Sequence, residues 1–467
     1  MLTYFPNSMA RKGMTAYFAT LAVISMIFLS RVLPFVMILF GVVAVVTFFH
    51  YSNDLTKRWR SMHPKAFVKK LFWTGLIIRL VYMVVAYFFY QAMTGRPFMF
   101  YTADEFAYYT YSQVWHDQGF EVFKQMVKNI GLGDSGEICF TGFLCMVFGT
   151  SVFTARIGHS VLSALTCVLI YRIGKRHFGE STGRMAGIFC MLMPNLIYYC
   201  GIHLKEADMV FAAVLFVDCV DVVLSDRKMV ITHIAFAMLS GFALFTFRTA
   251  LGATGLIATL VAVVFNKGKL GSWWKRILLG GTVVVSLSMT TVGARLQREM
   301  LEIWEESATV QSQGMLHRSK SVGGNAFAKY ASGAVFAPMI FTIPFPTMVN
   351  TEVQKNQQMI HGGNFVKNIM SGFTIFALFL LLLSGEWRKH TLPIAMMCGY
   401  LVVVAFSHFA YSERFHQPAL PFELLFAAFG ISQVKQKHLK WFEYWTYFIF
   451  AANVGWAWIK LAGRGLV

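Results

Sequence analysis

The sequence predicts an all-α polytopic membrane protein, and three observations lead to that fold class. Hydrophobic residues make up 57% of the 467-residue chain, charged residues make up 13%, and the mean hydropathy is +0.56. Soluble domains are about 45 to 50% apolar and about 25% charged. The apolar residues also form repeated continuous runs of roughly 16 to 22 residues, close to the roughly 20 that a membrane-spanning helix needs.

We predict a bundle of about thirteen transmembrane helices, because the chain contains that many such runs. Short connections separate most of them, and two connections are long. The predicted spans are 15–30, 32–50, 71–92, 152–171, 185–200, 207–224, 230–247, 250–265, 277–292, 367–384, 392–409, 418–432 and 442–461.

The distribution of basic residues predicts which connections face the cytoplasm. With a cytoplasmic N-terminus, the cytoplasmic connections contain 23 Lys and Arg in 79 residues, whereas the opposite connections contain 14 in about 156. Short cytoplasmic loops carry such an excess in multi-pass proteins. The net charge of +19 therefore reflects topology, and we predict no nucleic-acid partner.

The chain divides into three regions. Residues 1–70 form an N-terminal transmembrane hairpin and a basic cytoplasmic loop, 71–432 form the main transmembrane region, and 433–467 contain a loop and the last helix. The two long connections, 93–151 and 293–366, belong to the middle region and face outward. Within the second, the prolines of "AVFAPMIFTIPFPTMV" predict an interfacial or re-entrant segment.

The first outward connection begins with "YTADEFAYYTYSQVWHDQGF", residues 101–120. If residues 101–118 are helical, Asp104 shares one face with aromatic residues, and Glu105 flanks that face. Two interpretations remain open. The stretch is either an interfacial anchor with a charge pair at a helix N-terminus, or a site in which a carboxylate acts as a general base or metal ligand. The aromatic residues of this face are Tyr108, Tyr111 and Trp115.

A second polar cluster lies in "YYCGIHLKEADMV", a short outward turn between two predicted spans. Charges near hydrocarbon cost several kcal/mol unless they are paired, so the cluster indicates either a functional site or an ion pair at the water boundary. Its polar residues are His203, Lys205, Glu206 and Asp208.

Two arginines, Arg248 and Arg414, fall on the same outward side. Guanidinium groups match phosphate oxygens, so we predict that both residues, with Lys205, bind an anionic lipid phosphate. The alternative is that each arginine snorkels or forms a structural pair. We interpret Arg79 and Arg156 as structural.

The order of these features resembles the GT-C superfamily of membrane glycosyltransferases, in particular bacterial relatives of protein O-mannosyltransferases and aminoarabinose transferases. Members of this family have an acidic motif, here Asp104 and Glu105, in an outer loop after a spanning helix. An Arg-bearing span and a basic turn follow, here "FGTSVFTARIGHSVLSALTCVLIYRIGKRHFGESTGRMAG". Then come a Pro-containing span with a second acidic turn, "MLMPNLIYYCGIHLKEAD", and a late segment, "ERFHQPALPF".

The resemblance implies a GT-C-like bundle with an active site on the outer side of a bacterial-type inner membrane. It implies transfer of a sugar from a polyprenyl-phosphate donor to a lipid, polysaccharide or protein acceptor. Asp104 would be the general base, with Glu105 supporting it. Glu206 would be the second catalytic acid, and Glu206 or Asp208 would bind a divalent metal if the enzyme uses one.

The resemblance implies that three cations would bind the departing phosphate and that four further polar residues would belong to the site. The cations are Lys205, Arg248 and Arg414, and the further residues are His203, Asp208, Tyr108 and Tyr111.

Two alternatives to this function remain open from the sequence. One is a polysaccharide polymerase or ligase that acts on carrier lipids. The other is a flippase or transporter of lipid-linked sugars without covalent chemistry. Transporters tend to have related halves and charges at the membrane midplane, whereas this chain has no evident internal repeat and its charges gather at the outer boundary.

Overall fold

A computed structural model gives the fold, and it describes residues 2–101, 103–225, 231–265, 339–407 and 410–467. Within these ranges the regular secondary structure is helical, without strands. The α-helices, numbered here in chain order, are α1 (Asn7–Ile27), α2 (Phe35–Arg58), α3 (Pro64–Thr94), α4 (Ala103–Gln118), α5 (Phe120–Ile130), α6 (Leu132–Phe148), α7 (Val152–Phe178), α8 (Glu180–Leu192), α9 (Pro194–Tyr198), α10 (Glu206–Ser225), α11 (Ile231–Phe247), α12 (Thr249–Phe265), α13 (Lys355–Met359), α14 (His361–Ser384), α15 (Thr391–Phe406), α16 (Glu413–His416), α17 (Leu420–Gln433) and α18 (Leu439–Ala462).

The structure agrees with a helical membrane protein. Four described helices are long and apolar enough to cross a bilayer: α2, α3, α7 and α14. Four shorter helices, α11, α12, α15 and α17, are also apolar. Eleven of the predicted spans each coincide with one helix, and 185–200 is divided between α8 and α9 because Met193, the residue before Pro194, is extended. The remaining span, 277–292, lies outside the described residues. The number of thirteen spans therefore stays a prediction.

The connection 93–151, which the sequence predicts as a long loop between spans, contains three helices. It folds into α4, α5 and α6, which pack against one another. Gly119 and Gly131 separate these helices with φ angles of 86° and 90°, a left-handed conformation that glycine adopts without steric cost. This folded segment positions the carboxylates of α4 and α6 against the bundle.

Helices α7 and α10 form the part of the bundle that supports the candidate site. They pack against each other, α7 also packs against α3 and α8, and α10 also packs against α11. The beginning of α7 contacts the beginning of α10 through His159 and Asp208, and its end contacts the end of α10 through Arg176 and Asp218. The two helices therefore run in the same direction.

The N-terminal hairpin is integrated into the bundle. Helix α1 packs against α2 and α18, and α2 packs against α8 and α14. The Tyr17 hydroxyl lies 2.9 Å from His361 Nε2. Residues 1–70 therefore support the same bundle as the helices near the C-terminus.

The proline-rich segment is described from Met339 onward, and its backbone there is irregular, as its prolines predict; the interfacial or re-entrant position stays a prediction. It is mostly buried and contains no α-helix before α13. Its carbonyl groups accept hydrogen bonds from two side chains of α14: Lys367 Nζ donates to Ile343 O at 2.6 Å, and Asn368 Nδ2 donates to Thr342 O at 2.5 Å. Irregular backbone at membrane depth is tolerated when protein groups satisfy it in this way.

Candidate functional site

Arg414 joins two acidic residues that are far apart in the sequence. Asp104 and Glu206 lie in the first turns of α4 and α10, and Arg414 lies in α16. Its Nη1 donates to Asp104 Oδ2 at 2.5 Å, and its Nε donates to Glu206 Oε1. The Asp104 side chain remains 59% exposed, whereas Glu206 is fully buried. The site thus has one accessible carboxylate and one buried carboxylate on the same guanidinium.

The electrostatics of this trio favour a charged Arg414. Burial acts to lower the pKa of Arg414, but the Glu206 carboxylate and its hydrogen bond, together with Asp104, outweigh burial and raise that pKa above its ordinary value. Glu206 Oε2 has no hydrogen-bond partner among the described residues. One lone acceptor therefore remains inside the site.

Lys205 is held by the beginning of α6 and by the end of α11. Its Nζ pairs with Asp134 Oδ1 and donates to Phe247 O at 2.9 Å. The Tyr108 hydroxyl donates to the same Asp134 oxygen at 2.8 Å. Burial lowers the pKa of Lys205 despite the nearby Asp134. Burial would raise the pKa of Asp134, but Lys205 and the Tyr108 hydrogen bond bring it below its ordinary value.

Arg248 completes the group of three predicted phosphate-binding cations. It lies at the junction of α11 and α12, next to the carbonyl that binds Lys205. Its Nη1 donates to the Tyr400 hydroxyl at 2.8 Å. Its guanidinium lies 4.1 Å from the centre of the ring of Phe415, the residue that follows Arg414 in the sequence. Among the described residues, its contacts are with neutral groups. Arg248 is therefore the cation best able to receive an anion.

Glu105 occupies a different environment from its neighbour Asp104. It is fully buried, its Oε2 accepts from the Met99 backbone N–H at 2.7 Å, and its Oε1 accepts from the His203 N–H at 2.8 Å and from Arg156 Nη2 at 3.0 Å. These contacts attach α4 to α7 and to the turn before α10. They also agree with a structural role for Arg156, and they place both Glu105 oxygens against protein groups.

His203 and Tyr111 do not join the contacts of Arg414. His203 is buried, its ring nitrogens have no hydrogen-bond partner among the described residues, and burial lowers its pKa to about 3. It is therefore neutral. Tyr111 lines a separate depression with residues of α5, among them Gln125. Trp115 stacks on Phe123 of α5, so these aromatic residues hold the outer helices together.

A second cluster brings Asp208 together with two residues to which the sequence assigned no role. His159 Nε2 lies 3.2 Å from Glu137 Oε1 and 3.4 Å from Asp208 Oδ2. All three side chains are buried, and one ligand atom from each lies within 4.8 Å of the others. Of the two predicted metal ligands, Asp208 belongs to this group, whereas Glu206 binds Arg414. The sequence feature that could have indicated this cluster is His159, which lies one helical turn after Arg156 in an apolar run.

A cavity of about 340 Å³ opens beside Arg414, within the range of small-ligand pockets of roughly 300–1,000 Å³. Tyr101, which lines this cavity, and Glu352, which precedes the lining residue Val353, have φ angles of 58° and 65°, and the Tyr101 hydroxyl donates to Glu352 O at 3.0 Å. Such strained residues cluster at binding sites. Aromatic and amide side chains dominate the polar lining: Tyr101, Tyr198, Tyr199, Gln354, Asn356 and Gln357.

Comparison with known proteins leaves the site to be interpreted from its own chemistry. No protein-family model matches the chain, no curated protein matches it, and no solved structure matches it.

Proposed function

We propose that this protein is a glycosyltransferase that moves a sugar from a polyprenyl-phosphate-linked donor to an acceptor at the outer face of the membrane. The proposal includes a GT-C-like bundle of about thirteen spans in a bacterial-type inner membrane, with a cytoplasmic N-terminus. The observation that carries it is the Arg414 bridge between the exposed Asp104 and the buried Glu206. Arg248, whose described partners are neutral, lies beside this bridge.

In the proposed reaction, Asp104 removes the proton from the acceptor hydroxyl or amine. The acceptor oxygen or nitrogen attacks the anomeric carbon of the sugar, and the bond between that carbon and the phosphate oxygen breaks. The electron pair of that bond leaves with the polyprenyl phosphate, and the sugar is transferred with inversion. A positioned general base contributes about 10²- to 10⁴-fold to the rate.

The cations of the site fit the charge that develops on the leaving group. Arg414 and Arg248 stabilise the departing phosphate in a site that is partly shielded from water, where such stabilisation is strongest. Glu206 holds Arg414 in place, and Lys205 adds a third positive charge that Asp134 balances. The order of importance that we propose for the phosphate is Arg248, then Arg414, then Lys205.

The cavity beside Arg414 fits the sugar or the acceptor. Aromatic rings pack against the apolar faces of sugar rings, and amide side chains donate to and accept from hydroxyl groups. Tyr199 and Gln357 supply both kinds of group on this lining. A hydroxyl-rich ligand there would lie against the Arg414 guanidinium, which binds Asp104.

The test is a transfer assay with the full-length protein in lipid vesicles that contain polyprenyl-phosphate-linked sugars. We expect wild-type protein to release polyprenyl phosphate, and Asp104→Asn to lower turnover at least about 100-fold, because the base is lost. The matched control is Asp117→Asn, since Asp117 is an exposed carboxylate at the other end of α4 that contacts His116. That variant should keep wild-type turnover.

The other outcomes separate the alternatives. Wild-type turnover in both Asp104→Asn and Arg248→Gln would contradict the proposed site. Growth of a sugar polymer on the carrier would identify a polymerase. Movement of the intact lipid-linked sugar across the vesicle without bond cleavage would identify a flippase.

A further inference from the structure

The cluster of Glu137, His159 and Asp208 takes no part in the proposed transfer. Its members come from α6, α7 and α10, so it joins the folded outer segment to two helices of the bundle. All three side chains have a relative exposure of 0 to 1%. Two carboxylates at this depth need a compensating positive charge, because an unpaired buried charge is very costly.

The described residues supply too little of that charge. His159 is the only described cationic partner of either carboxylate. All four carboxylate oxygens of Glu137 and Asp208 lack a hydrogen-bond partner among the described residues, and so does His159 Nε2. Arg156, the nearest arginine along α7, donates to Glu105 and Pro97 O instead. The three residues therefore hold five potential ligand atoms without hydrogen-bond partners among the described residues, and one atom from each residue lies within 4.8 Å of the others.

The distances match a coordination sphere. Zinc binds His nitrogen and carboxylate oxygen at about 2.0–2.2 Å in tetrahedral sites, which places neighbouring ligand atoms about 3.3–3.5 Å apart. His159 Nε2 lies 3.2 Å from Glu137 Oε1 and 3.4 Å from Asp208 Oδ2. These two distances fit a metal site, and the ligand atoms of Glu137 and Asp208 lie within 4.8 Å of each other.

The other ring nitrogen of the histidine is fixed as metal sites require. His159 Nδ1 lies 3.3 Å from Ile202 O, a carbonyl that can accept the Nδ1 proton, so in the neutral ring Nε2 carries the lone pair that a metal ion would bind. Metal-binding histidines commonly donate their second nitrogen to a backbone carbonyl in this way. Ile202 lies in the turn that precedes α10, so the turn itself orients the ligand.

We propose that Glu137, His159 and Asp208 bind one divalent transition-metal ion, for which Zn²⁺ is the best match to one imidazole and two carboxylates. The ion would neutralise both carboxylates and tie α6 to α7 and α10. The second carboxylate oxygens are available to complete the coordination. This role is separate from the proposed sugar transfer, which uses Asp104, so either proposal can fail without the other.

The test measures metal on the full-length protein in detergent, after chelation and reloading with ZnCl₂ alone. Elemental analysis should find about one zinc per chain in the wild type, and Glu137→Gln and Asp208→Asn should each lower the affinity at least about tenfold. Glu206→Gln is the matched control, because Glu206 is a buried carboxylate two residues away on α10 that binds Arg414. It should retain the zinc.

Cobalt gives a second readout that needs no activity. Loading with CoCl₂ should produce the visible absorption of four-coordinate Co²⁺ in the wild type and in Glu206→Gln, and lose it in His159→Gln. Elution volume and helical circular dichroism identify variants that fold. Folded wild-type protein that takes up no zinc or cobalt, or a Glu137→Gln/Asp208→Asn double variant that binds as much as wild type, overturns the proposal in favour of an ion-paired triad around a protonated His159.

Discussion

The two ends of the α7–α10 pair carry charge clusters of opposite character. At the far end, Arg176 binds Asp218 at 2.6 Å and Asp221 at 2.7 Å, Arg172 adds a contact to Asp218, and His177 lies 3.2 Å from Asp221. There each carboxylate has cationic partners. At the site end, Glu206, Asp208 and Glu137 keep oxygens without hydrogen-bond partners among the described residues.

This difference separates a structural cluster from a cluster with capacity for ligands. Positions 159 and 176 are 17 residues apart on α7, or roughly 25 Å at 1.5 Å per residue, close to the ~30 Å hydrocarbon core of a bilayer. The helix pair therefore has a saturated end, where each aspartate oxygen contacts an arginine or His177, and an unsaturated end, where carboxylate oxygens lack hydrogen-bond partners among the described residues. The two ends are separated by a distance comparable to the thickness of a bilayer core.

Among substitutions that test the difference between the two ends, we expect the largest loss of stability and activity at Arg414. Arg414→Ala leaves Glu206 buried without its cation, so we expect the free energy of unfolding to fall by about 3–5 kcal/mol and transfer to be lost. Chemical unfolding in detergent, followed by helical circular dichroism, measures the stability.

A double variant distinguishes the stability of this pair from its function. Arg414→Leu combined with Glu206→Leu removes both buried charges, and it should recover most of the lost stability because apolar pairs replace buried ion pairs at little cost. It should stay inactive. Activity in the folded double variant would mean that Arg414 has only a structural role.

A smaller effect is expected at the saturated end. Arg176→Gln removes two ion pairs there, but Arg172 and His177 still contact the two aspartates. We expect the free energy of unfolding to fall by about 1–3 kcal/mol, while turnover per folded molecule stays at the wild-type value. A tenfold loss of turnover in correctly folded Arg176→Gln would contradict the separation of roles.

The smallest effect is the pH dependence of the Asp134 pair. Lys205 and Tyr108 lower the pKa of Asp134 below its ordinary 3.8, so its stabilising contribution is complete above that pH and is lost as the pH falls through the lower, folded-state pKa. Because the Asp134 side chain is 47% exposed, we expect a contribution of at most about 1 kcal/mol.

Melting temperatures of wild type and Asp134→Asn measured from pH 7 to pH 3 check this sign. The wild type should melt at the higher temperature near neutral pH, and the gap should close below pH 3.8. Asp117→Asn controls for the loss of an exposed aspartate on a neighbouring helix. A gap that widens on acidification would show that Asp134 does not gain stability from its charge.

Much of the fold could be predicted because each helix is a local pattern. The apolar runs located eleven single helices and the α8–α9 pair, and the acidic start of α4 was predicted within two residues. The side chains of Asp104 and Glu105 have different partners because successive helical residues point about 100° apart. Asp104 contacts Arg414, and Glu105 contacts Arg156.

The contacts between distant helices could not be predicted from these patterns. Arg414 is 310 positions from Asp104 and 208 from Glu206, and no local periodicity encodes which loops meet. The Glu137 and His159 pair was missed for the same reason, because the two residues lie on different helices and neither helical sequence encodes their contact. The division of 93–151 into three helices depended on Gly119 and Gly131, whose conformation is visible only in the structure.

The shared direction of α7 and α10 has an electrostatic consequence beyond their side chains. The peptide dipoles of parallel helices add instead of cancelling, and each helix N-terminus carries about half a positive charge. The N-termini of α7 and α10 both lie at the site end, and Asp104 lies in the first turn of α4. The N-termini of these helices therefore contribute positive potential at the site end, and removal of any single arginine would leave that contribution in place.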